Sequence, residues 1–183
     1  METSEEIIEI ELSKKKILLM LLGSLAFVAI GLWFVISPPP ISNPYWGNPT
    51  TLAIVGYASI FFFGLCAFIL FQKLSDNKPG LIIDGTGVTD NSSGVSAGQI
   101  LWSDLEDISV MEMNRQKLIM LHVKNPQEYI DKQTSGFKRK MMQMNYNMYG
   151  TPLSITTNGL KISFDELMAT LIEKVKSQGQ EMI

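Results

Sequence analysis

ILLMLLGSLAFVAIGLWFVI (residues 17–36) and TLAIVGYASIFFFGLCAFILF (residues 51–71) decide the fold, because neither run contains a charged residue. A helix rises about 1.5 Å per residue, so about 20 apolar residues cross the hydrocarbon of a bilayer. A helix in a soluble core needs only one apolar stripe and seldom stays apolar on every face over such a length. The pair therefore reads as a two-span helical hairpin. It divides the 183-residue chain into an N-terminal segment (1–16), a first span (17–36), a connecting loop (37–50), a second span (51–72), a linker (73–80), a folded domain (81–178) and a short tail (179–183).

Flanking charges orient the hairpin. Lys14, Lys15 and Lys16 precede the first span, the loop 37–50 has no Lys or Arg, and Lys73 and Lys78 follow the second span. The positive-inside rule then places both termini in the cytoplasm. A secretory signal peptide fits residues 1–36 poorly, since the leading segment is acidic, the apolar run is too long, and Ser37 opens a proline run instead of a cleavage site. In the loop, SPPPISNPYWGNPT, proline forbids helix continuation, while Tyr45 and Trp46, with Trp33 near the end of the first span, suit an interfacial position on the outer side. Within the second span, Ala53, Gly56, Gly64 and Ala67 fall on one narrow face at helical spacing. Small residues let a second helix approach closely. The first span of the same chain is the expected occupant of that seam, and a second copy of the chain, forming a homo-oligomer, is the sharper alternative.

Ahead of the spans, Ile8, Ile10 and Leu12 alternate with Glu9 and Glu11. Period two is the signature of a strand, and a lone strand is unstable, so this segment is expected either to pair with an edge of the later domain or to remain an acidic tail.

After the linker the pattern breaks into short apolar pieces separated by turn residues. LIID (81–84) reaches Asp84-Gly85; Gly87–Asp90, QILW (99–102), LEDISVMEM (105–113) and KLIMLHVK (117–124) follow as strands; PLSITT (152–157) turns at Asn158-Gly159 into LKIS (160–163). The chain closes with an amphipathic helix. Ser163 and Glu166 form a capping-box pair, and Phe164, Leu167, Met168, Leu171, Ile172 and Val175 make one apolar face. The fold class expected is an α+β membrane protein, its hairpin carrying a small antiparallel barrel or sandwich of about seven strands plugged by the final helix.

Residues 125–150 are too long for a hairpin turn and read as two helical pieces, the first opened by Pro126, the second set apart by Gly136. In the second piece Phe137, Met141, Met144 and Met148 recur at helical spacing beside Lys138, Arg139 and Lys140. Methionines adapt to irregular surfaces and adjacent cations favour anionic headgroups, so the piece reads as an interfacial helix or a groove for a partner. The competing expectation packs the methionine stripe into the core and leaves only the basic side in water.

Several functional classes lose support. From Lys73 onward 12 Lys/Arg balance 13 Asp/Glu, which gives no basic bias and argues against nucleic acid as a partner. Cys66 is the single cysteine, so the domain relies on its core instead of an intrachain disulfide. His122, in LIMLHV, has no cluster of ligands around it in the sequence, and no metal site is expected. Asp104, Glu106 and Asp107 read as a solvated strand edge. DGTG lacks the Gly-Lys-Ser/Thr of a phosphate loop, and position 95 is Val where a calcium loop needs Glu. No catalytic constellation and no cofactor motif is expected.

The residues LIIDGTGVTD, ILWSDLEDI, NPQEYI with KRKMMQMN, YGTPLSI and SFDELMATLIEKV resemble a bacterial pleckstrin-homology-like (PH-like) domain. The whole layout is similar to a family of small bacterial two-span membrane proteins of unassigned function. The resemblance implies a PH-like fold at the cytoplasmic face of a bacterial inner membrane. Eukaryotic relatives that bind phosphoinositide carry basic residues in the first strand–strand loop. Here that loop is Asp84-Gly85-Thr86-Gly87, and inositol-phosphate recognition is not implied. The expected function is a non-enzymatic interaction module that binds a protein partner, with lipid as a secondary contact. The alternatives are an immunity or protective membrane protein acting against a toxin, and an accessory subunit of a transporter held through the Ala53, Gly56, Gly64, Ala67 face.

Overall fold

A computed structural model describes residues 7–40, 48–113 and 116–178. Tyr45 and Trp46 of the connecting loop lie outside the described residues, as does the acidic start of the chain. The chain separates into two compact units: one built from the N-terminal segment to Ser13 together with Asn77 onward, the other from Lys14–Asp76.

The second unit is a helical hairpin of α1 (Lys14–Ile36) and α2 (Pro49–Ser75), both long and apolar enough to cross a membrane. Each helix extends past its apolar run for a local reason. Asn48 caps α2 by accepting from Thr50 N, with Pro49 in the first turn where no amide partner is needed. At the other end the Lys14 ammonium donates to the carbonyls of Leu74 at 2.8 Å and of Asp76, and lies 3.4 Å from that of Lys73. A cation on the unsatisfied carbonyls of a helix C-terminus answers both the orphan acceptors and the helix dipole. Most apolar side chains of the pair point outward, among them Leu19, Phe61 and Phe71. That distribution suits lipid as the surrounding solvent and would be costly in water.

Among the described residues the first unit contains seven strands in two antiparallel sheets. One sheet has the order β1 (Ile8–Ile10), β2 (Leu81–Ile83), β3 (Gly87–Asp90), β4 (Gly98–Leu101); the other has β5 (Leu105–Met113), β6 (Gln116–Val123), β7 (Leu153–Ile155). Alternating residues Leu81, Ile83, Val88, Ile119, Leu121, Leu153 and Ile155 are almost fully buried and form the core. The final helix contributes Leu167, Leu171 and Val175 from its inner face (Phe164–Ser177, numbered α5 after the two helices of the insertion described below). Its start is capped by Ser163 Oγ, which accepts from Glu166 N.

β1 pairs with β2 across the inserted spans: Ile8 faces Ile83 and Ile10 faces Leu81. Neighbouring strands of one sheet are thus joined through the whole helical hairpin. The segment continues past β1 to a second contact, where Leu12 bridges Leu160, Lys161 N donates to Glu11 O at 2.9 Å and Ser13 N donates to Gly159 O at 2.7 Å.

Two expectations require correction. The strands do not close a barrel, because the 3₁₀ turn Trp102–Asp104 bends the chain between β4 and β5 and the two sheets keep separate ladders. Nor does Asn158-Gly159 make a hairpin to a strand at 160–163. Leu160, fully buried, is instead engaged by Leu12, and the chain passes within four residues into the final helix. Asp84 leaves its strand as well, accepting from Thr86 N, Thr86 Oγ1 and Gly87 N through one carboxylate oxygen. These hydrogen bonds, led by that from the Thr86 hydroxyl, hold its pKa below the ordinary carboxylate value. Gly87 is required next to this turn because a Cβ there would collide with the Ile100 carbonyl on β4.

Candidate interaction surface

Residues 125–150 fold as α3 (Pro126–Asp131) and α4 (Gly136–Tyr149). Pro126 opens α3 at a position where its missing amide costs nothing. Tyr129 and Ile130 turn inward and are buried. The Tyr129 hydroxyl donates to Asp104 Oδ2 at 2.7 Å and accepts from Leu101 N at 3.4 Å, fastening α3 to the turn between the two sheets. Burial, reinforced by the Asp104 carboxylate, pushes the phenol up to about 12. Asp104 is therefore a structural acceptor and not part of a purely solvated acidic edge.

Ser135 caps α4, its hydroxyl accepting from Lys138 N. Gly136 is the first residue of that helix, so the break between the pieces falls before it. The helix ends at Gly150, whose φ of 75° is the left-handed conformation that favours glycine, and its amide donates back to Tyr146 O. Inward, α4 is anchored by Met142, which is fully buried. Its basic residues divide by role. Lys138 Nζ donates to Ser96 O at 3.4 Å and Arg139 to Gln133 O at 2.9 Å, tying α4 to the β3–β4 loop and to the α3–α4 turn. Lys140 points outward and is exposed.

The methionine stripe is not in the core. Phe137, Met144 and Met148 are 48, 45 and 60% exposed, and Met141 is half-buried. At 100° per residue these four lie well away from Met142, so α4 carries apolar groups on two faces. Beside the stripe, α3 and α4 enclose a cleft of about 600 Å³. Ile130, Met141 and Met144 line it together with Gln127, Lys140 and Asn147.

The small-residue face of α2 is also divided. Gly56 is buried where the two helices touch: a Cβ there would lie 2.7 Å from Gly31 O and 2.7 Å from Val35 Cγ2. Ala67 is buried too, Ala53 is half-buried, and a Cβ on Gly64 would meet open space. Gly31 on α1 is the reciprocal glycine, unremarked in the sequence pattern although it lies in the apolar run. Near this crossing Ser59 Oγ donates to Phe27 O at 3.0 Å and Phe27 stacks on Phe63 at 4.3 Å between centroids.

His122 Nε2 shares a hydrogen bond with Ser109 Oγ at 2.8 Å across β5 and β6. Among the described residues no group of three or more His, Cys, Asp or Glu could hold a metal ion. The arrangement on α3 and α4, an apolar surface edged with amides and cations, is equipped for recognition by contact. Comparison with family models, with curated proteins and with solved structures finds no match for this chain.

Proposed function

We propose that this chain is a non-enzymatic interaction module anchored at the cytoplasmic face of a bacterial inner membrane, its PH-like domain docking a protein partner in the α3–α4 cleft. The observation that carries this reading is the cleft itself, with its fixed floor at Ile130 and its rim of Gln127, Lys140 and Asn147. Its walls are tied down, by Tyr129 to Asp104 on α3 and by Lys138 and Arg139 on α4. A preformed site of this kind loses less entropy on binding than a mobile one. Supporting the PH-like reading are the two antiparallel sheets followed by an amphipathic helix. Lysines at both membrane-proximal ends of the hairpin support the orientation.

A photo-crosslinking side chain placed at Asn147, in intact cells, tests the proposal. The expected result is one discrete protein adduct, absent when the same group replaces Glu173 on the exposed side of the final helix and lost when Gln143→Trp fills the cleft. Uniform labelling of many proteins from both positions, or no protein adduct from Asn147, would remove the docking role.

A further inference from the structure

We infer that the outward stripe of α4 seats on the anionic surface of the same bilayer that the two spans cross. This rests on the reading above only for its membrane anchoring: Phe137 and Met148, at the two ends of the stripe, lie outside the cleft in which a protein is proposed to dock, whereas Met141 and Met144 line it.

Three observations converge. First, Phe137, Met144 and Met148 stand about half exposed on a helix already anchored from its other side by Met142, so the core does not need them. Apolar groups of this size left in water are unfavourable, and burial 5–10 Å into the headgroup region is how amphipathic surface helices remove them from it. Second, the charge on α4 has one sign. Between Gly136 and Tyr149 there are three basic residues and no acidic one, which matches the negative potential of a cytoplasmic leaflet. Third, the chain restricts the domain to the neighbourhood of the membrane. Three residues join β1 to α1 and five join α2 to β2. At about 3.5 Å per extended residue, those strands reach no more than about 20 Å from the helix ends, whatever the arrangement of the two units. A domain whose β1 and β2 are tethered at that range experiences a high effective concentration of lipid, so weak contacts suffice.

The experiment uses the full chain in nanodiscs, with Cys66→Ser and a single environment-sensitive fluorophore on Phe137→Cys or Met148→Cys, both outside the cleft. A label on Glu173→Cys serves as the control. In discs containing anionic phosphatidylglycerol, the α4 labels are expected to shift to the blue and to be quenched by lipids carrying a spin label near the headgroup; the control label does neither. In zwitterionic discs the shift should fall. Lys140→Glu, an exposed substitution, should reduce the docked fraction in anionic discs by at least about fivefold, the effect of one juxtamembrane cation, with an unchanged melting temperature showing that the domain is intact. Labels that remain in water in both compositions overturn the inference, and so does a shift indifferent to lipid charge. Labels exposed in nanodiscs but shielded in native membrane vesicles would also overturn it and assign the stripe to a protein instead. The cleft crosslink from Asn147 is read separately, so either proposal can fail without the other.

Discussion

Truncating Leu12 should destabilise a domain most of whose residues begin more than sixty positions later in the chain. Leu12 is 3% exposed and bridges Leu160, itself fully buried. Its side chain also fills the space above Gly80, where an added Cβ would lie 3.0 Å from Leu12 Cδ2. Leu→Ala at such a site costs about 2–5 kcal/mol, a large share of the about 5–15 kcal/mol that stabilises an ordinary domain. At roughly 4–8 °C per kcal/mol for a domain of this size, Leu12→Ala should lower the melting temperature by at least about 8 °C. The assay is thermal unfolding of the full chain in detergent, followed by fluorescence of Trp102, which is buried with its indole N–H on Asp84 O at 2.8 Å. Trp33→Phe and Trp46→Phe isolate that signal. Ile7→Ala, at a position 62% exposed, is the control and should change the melt by less than about 0.5 kcal/mol. A Leu12→Ala protein that melts with its parent, or an Ile7→Ala protein that falls as far, would refute the view that the segment before the spans belongs to the domain after them.

Tyr129→Phe removes the hydroxyl bridging Asp104 and Leu101 N and should cost about 1–2 kcal/mol at neutral pH. Because the folded phenol titrates near 12 and the unfolded one near 10, the parent keeps this contribution below pH 10 and loses it as pH rises toward 12; the variant's stability curve, measured by denaturant melts, should be flatter over that interval. Gly56→Ile should force the helices apart, because even a Cβ at that position collides with Gly31 O and Val35. Gly64→Ile meets open space. The yield of a disulfide engineered between Phe27→Cys and Phe63→Cys, in a Cys66→Ser background, should drop several-fold in the first variant and stay level in the second.

What could be read from the chain depended on the range of the interaction. The spans were legible because absence of charge over twenty positions has few physical explanations. The period of Ile8, Ile10 and Leu12 marked a strand, but its partners Leu81–Ile83 and Leu160 lie far along the chain and follow only from the assembled sheets. Asn158-Gly159 was misleading for the same reason: local turn chemistry favoured a hairpin, and a distant leucine competed for Leu160. On α4 the spacing of Phe137, Met141, Met144 and Met148 identified a helix without fixing which side faced in. The inward side follows Met142, Tyr146 and Tyr149, a second helical series in the same stretch, of which Met142 is fully buried and the two tyrosines half-buried. The Tyr129–Asp104 contact joins residues 25 apart through an irregular turn, and no periodicity encodes such a pair.

The connectivity itself constrains how such a module works. Because β1 and β2 are hydrogen-bonded neighbours and the hairpin is inserted between them, the sheet unit is joined to the helical hairpin by two short connections that emerge from adjacent strands. The same arrangement makes the pairing of β1 with β2 depend on the two open ends of the helical hairpin returning close together. Lys14 contributes to that return at the helix ends, by holding the last carbonyls of α2 against the first turn of α1. Closing β1 onto β2 is thereby coupled to the pairing of α1 with α2, so the four-stranded sheet is complete only when the two helices have come together.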